Sequence, residues 1–81
     1  MSFQLGQRYI KWLVKPAFGD LISAVIVQVV ALDRSHVTVK CVQVIGYAYS
    51  WRVDELSVLS HEHMTYHFEY MKGQDRPELR P

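Results

Sequence analysis

The side chains in this chain best suited to chemistry are three histidines in the run His61-Glu62-His63 and, four residues on, His67. Imidazole ligates Zn²⁺ and similar ions. On a strand, alternation sends His61, His63 and His67 to one face, whereas on a helix only His63 and His67 share one. Extended backbone separates His61 from His63 by about 6.6 Å and His63 from His67 by about 13 Å. His61 and His63 are therefore the more credible metal pair. Glu62 then points to the opposite face, where it cannot orient either ring. The plainer alternatives are the polar edge of a terminal strand, guarded against pairing, or a contact that responds to pH.

Aromatic side chains form the second candidate set. Tyr47, Tyr49 and Trp51 alternate in one run, and Met64, Tyr66, Phe68 and Tyr70 in another. Rings in such rows either fill a core or bind a partner, and an exposed apolar row marks an interface. We expect the partner-binding residues to be Met64, Tyr66, Phe68 and Tyr70, with Tyr49 and Trp51 beside them. A third set is basic: Arg8, Lys11 and Lys15 precede the first acid, Asp20, and Arg34 and Lys40 follow. These five form the alternative, a phosphate-binding patch for nucleic acid. A net charge of +1, from nine Lys/Arg against eight Asp/Glu, argues against strong electrostatic binding. Cys41, the single cysteine, excludes an internal disulfide and reads as a buried, inert thiol. The chain carries neither a glycine-rich phosphate loop nor a nucleophile paired with a base, so it does not read as an enzyme and no cofactor is expected.

These side chains must be positioned by β structure. Eleven Val and four Ile crowd the stretch from Ile10 to Val58, the composition that pleated surfaces prefer. Arg8–Val14 alternates as a strand. Leu21–Leu32 is apolar on both alternating faces and reads as a long, bent, buried strand. Asp33-Arg34-Ser35-His36 is a turn, since Asp33 and Ser35 can hydrogen-bond their own backbone. Val37–Ile45 returns as the second arm of a hairpin. Its apolar phase slips from Val37, Val39 and Cys41 to Val42 and Val44, as at a β-bulge. Tyr47–Val53 alternates as a further strand, and Asp54-Glu55-Leu56 reads as a helical turn capped by Asp54. His61–Met71 is ambiguous, and its alternation with Tyr, Phe and Thr favours strand over helix. Residues 73–81 are polar and broken by proline, which predicts a flexible tail.

At 81 residues the chain is one domain, here 1–72 plus the tail, with 49% hydrophobic residues, too apolar for disorder. A domain of this size buries only about 60% of its unfolded surface, so self-association is a natural supplement. Its longest apolar stretch, twelve residues, is shorter than the roughly 20 of a membrane-spanning helix. No signal-peptide pattern opens the chain, and a cytoplasmic protein without membrane contact is expected.

The order of elements resembles the SH3-like barrels of the Tudor and KOW type. The resemblance rests on Leu5-Gly6-Gln7-Arg8-Tyr9, Gly19-Asp20-Leu21, the hairpin Val25–Val44 and the ending Trp51–Leu59, and covers roughly residues 5–59. It implies an all-β, five-stranded, strongly bent barrel with one short helical turn. Small barrels of this kind are common among uncharacterised phage and mobile-element proteins, and they bind peptides or methylated side chains through aromatic clusters. The expected function is thus a non-enzymatic binding or adaptor module working through protein contacts, as a homo-oligomer or within an assembly. Nucleic-acid binding and histidine-based metal binding are the alternatives.

Overall fold

The computed structural model describes residues 3–14, 23–46 and 50–73. Six elements lie within them: β1 (Arg8–Val14), β2 (Ser23–Leu32), β3 (His36–Ile45), β4 (Leu56–Ser60), α1 (His61–His67) and β5 (Glu69–Tyr70). All pairings are antiparallel, in one five-stranded sheet of order β4-β3-β2-β1-β5. The edge strands β4 and β5 do not pair with each other. The sheet is therefore open, and the closed barrel expected from the sequence is not completed by hydrogen bonds.

The centre follows from the Val-rich run. β2 pairs with β1 on one side and β3 on the other, and Ser23–Val29 is buried on both faces. Val25, Val27 and Val29 face the main core, where they meet Val37 and Val39 of β3. Opposite Ile26 and Val27 stand Gln43 and Cys41, so Val42 is the extra residue of a bulge. Its effect is the expected change of phase: Cys41 is fully buried before the bulge, and Val44 packs against the core after it.

The β2–β3 turn also follows its sequence. Asp33 Oδ1 accepts hydrogen bonds from the backbone N–H of Ser35 (2.8 Å) and His36 (2.6 Å), which mimics a backbone turn. These two donors hold the Asp33 carboxyl below the usual carboxylate range. Ser35 turns its hydroxyl to the His36 ring (2.8 Å).

Three expectations are corrected after Gly46. Of the strand expected over 47–53, the described part, residues 50–53, is turn and irregular backbone, and strand pairing resumes only at Leu56. Asp54 caps no helical turn. Its φ of 72° places it in a tight left-handed turn, where its N–H donates to the Cys41 carbonyl at 2.8 Å. The third correction concerns His61–Met71, whose first seven residues form a helix rather than a strand. Ser60 ends β4 and caps α1, its hydroxyl accepting from the His63 N–H at 3.0 Å. The helix closes at Phe68, whose N–H donates to the Met64 carbonyl. Only Glu69 and Tyr70 then return to strand, beside Ile10 and Tyr9. The expected tail lies, but for Gly73, outside the described residues.

Candidate functional site

Helical geometry reassigns the aromatic row. Met64 and Phe68, four residues apart, fall on one face, and that face turns inward: Met64 is fully buried and Phe68 is 6% exposed. Both join the core with Phe3 and Tyr9, and Trp51 packs on Phe68 edge-on with ring centroids 6.3 Å apart. Tyr66, on the opposite side of the helix, is 76% exposed, and Tyr70 on β5 is partly exposed against Tyr9. The four side chains expected to share one exposed face therefore divide into two that fill the core and two that remain outside. Tyr49 lies outside the described residues.

The histidines divide as well. His61 packs edge-on against Phe3 at 5.1 Å, and its Nε2 is buried without a hydrogen-bond partner. His63 and His67 lie one turn apart with ring centroids 4.5 Å apart. Partial burial, the adjacent His67 and the Lys11 ammonium keep the His63 imidazole below its usual range. Among the described residues no three His, Cys, Asp or Glu side chains converge on a common point, so the three-histidine face of a strand does not form.

The basic residues are dispersed. Lys11 places its ammonium over the Phe68 ring, 5.7 Å from the centroid. Lys40 Nζ lies 3.8 Å from Asp54 Oδ1. Arg34 stands on the exposed β2–β3 turn, and Arg8 opens β1 opposite Gln28. Lys15 lies outside the described residues. The Cys41 thiol is fully buried and pushed up by that burial, with its Sγ 3.8 Å from the Gln43 carbonyl. Such a thiol makes a poor nucleophile.

Two surface features remain. A solvent-open cleft of about 330 Å³ lies between β1 and α1, lined in part by Ile10, Trp12, Tyr66 and Glu69. The wholly apolar Ile10/Trp12 side looks away from the main core, which instead receives Tyr9 and Leu13.

The other feature, which the sequence reading passed over, is the edge strand β4. Leu56 is 59% exposed and Val58 64%, with Val53 exposed just before them. Among the described residues β4 pairs with β3 alone. The direction of its backbone groups follows from two flanking bonds: Cys41 N–H donates to the Glu55 carbonyl at 3.0 Å, and His61 N–H to the Ser35 carbonyl at 3.1 Å. Odd-numbered residues of β4 thus face β3. By alternation Leu56 and Val58 direct both N–H and C=O to the open edge. The segment Leu56-Ser-Val-Leu-Ser60 contains none of the charged or proline residues that commonly guard such edges. The signal was there in the sequence, as Leu56 and Val58 at period two in an uncharged run. Compared with family profiles, curated proteins and solved structures, the chain matches none.

Proposed function

We propose that the chain is a non-enzymatic binding module on an SH3-like plan, acting through protein contacts and first of all through self-association. Two features of the fold support the plan. The strands form an antiparallel meander whose last member returns to β1, and a short helix lies between β4 and β5. In this reading Met64 and Phe68 plug the side that hydrogen bonding leaves open.

The observation that carries the function is the β4 edge. Apolar side chains and outward-facing backbone groups on the same two residues, Leu56 and Val58, make a template for another strand. A catalytic reading has no comparable support, since the buried thiol and the divided histidines assemble no reacting pair. Sedimentation velocity tests the proposal. The wild-type chain should associate, and Val58→Lys, which puts a charge on the edge, should be monomeric with an unchanged circular dichroism spectrum. A wild-type chain that sediments as a monomer across the accessible concentration range would refute self-association.

A further inference from the structure

Resting on that reading, we infer that β4 pairs antiparallel with β4 of a second copy about a two-fold axis at Ser57. The occupant and the register both come from the edge's own pattern. Antiparallel partners exchange hydrogen bonds between residues whose backbone groups face each other, here Leu56 and Val58 of each chain. A two-fold at Ser57 places Leu56 of each copy opposite Val58 of the other. Four N–H groups and four C=O groups that face no strand among the described residues are then brought face to face. Opposed residues also project to the same side of a sheet, so the two Leu56 and two Val58 side chains form one apolar cluster.

The neighbouring register, with its axis at Val58, is the natural competitor, and it fits less well. It places Leu56 opposite Ser60, whose hydroxyl already caps α1. Beyond that pair it sets Glu55 against His61, where the partner's chain has turned into its helix, and Asp54 near Glu62, a repulsive contact between carboxylates. The Ser57 axis opposes Glu55 to Leu59 and Asp54 to Ser60, with no like charges facing. It also leaves Lys40, the β3 neighbour of Leu56, in its contact with Asp54. The symmetry is closed, so the product is a dimer and not a filament.

Single cysteine substitutions report the register. Under the Ser57 axis the two residues 57 form a non-hydrogen-bonded pair with Cα atoms about 4.5 Å apart, within disulfide reach. Residues 58 of the two copies lie about 8 Å apart, beyond it. Ser57→Cys should convert almost wholly to a disulfide-linked dimer on mild oxidation, and Val58→Cys should stay largely reduced. The wild type, whose Cys41 is buried, is the control and should not cross-link. Preferential cross-linking of Val58→Cys would overturn the Ser57 register. An associating wild type whose Ser57→Cys variant does not cross-link would overturn the β4–β4 pairing and leave the binding-module reading standing. A monomeric wild type would overturn both.

Discussion

Ser60 separates two short apolar segments whose side chains go in opposite directions. On its N-terminal side, Leu56 and Val58 belong to a strand with one neighbour among the described residues, and their side chains stay in solvent. On its C-terminal side, Met64 in a helix of seven residues and Phe68 at that helix's C-cap are buried in the core. The two pairs are similar in hydrophobicity. What separates them is the period, two before the cap and four after it, and the side of the sheet to which each period points. A hydrophobic residue in so small a domain is committed to the core only when its element turns it there, and otherwise it remains available to a partner.

This contrast is broken most severely from the helix side. Phe68→Ala or Met64→Ala should cost about 2–5 kcal/mol in urea unfolding, through lost burial and a cavity. That is a large share of what a domain of this size has. Removing everything after Leu59 deletes both plugs and should unfold the chain. Leu56→Ala or Val58→Ala should shift the stability of the isolated monomer by no more than about 0.5 kcal/mol while weakening association. Equal losses of monomer stability from the two pairs would erase the distinction drawn here.

Smaller effects should come from the junction. Ser60→Ala removes the hydroxyl that receives the His63 N–H and should cost about 1 kcal/mol. Rescue by Ser60→Asp but not by Ser60→Val would assign the loss to capping. His61 offers a gain: its Nε2 is buried with no hydrogen-bond partner, and His61→Phe should raise the melting temperature by removing that polar atom beside Phe3. The smallest expected effect is at His63. Its folded form resists protonation, so the unfolded chain binds the proton more readily and stability should decline as pH falls below about 6.5. His63→Gln should flatten part of that decline in melts between neutral and acid pH.

Much of the scaffold was legible because its signals are local. Asp33 and Ser35 mark the hairpin turn, and the step from Cys41 to Val44 marks the bulge, since side-chain phase is tied directly to register. The two-sided apolar run of β2 announced a strand buried on both faces. The helix was harder to read. Met64, Tyr66, Phe68 and Tyr70 satisfy a strand's alternation, and Thr, Tyr and Phe favour strands, yet Met64 and Phe68 also satisfy a helical spacing. The cap at Ser60 and Glu62 in the first turn point to the helix, and tertiary burial of Met64 favours it further. Taking the alternation at face value moved the expected interface onto residues that fill the core. It also drew attention from β4, whose exposure depends on which strand ends the sheet. No single segment encodes that fact.

The central claim is that Leu56 and Val58 offer their backbone to a second strand, and amide hydrogen exchange measured as a function of protein concentration tests it most directly. The Leu56 and Val58 amides should exchange quickly in dilute protein and become protected as concentration rises. Those of Ser57 and Leu59, bonded to β3, should be protected throughout. Fast exchange at Leu56 and Val58 at every concentration, in a chain that nonetheless associates, would place the contact elsewhere and contradict the account.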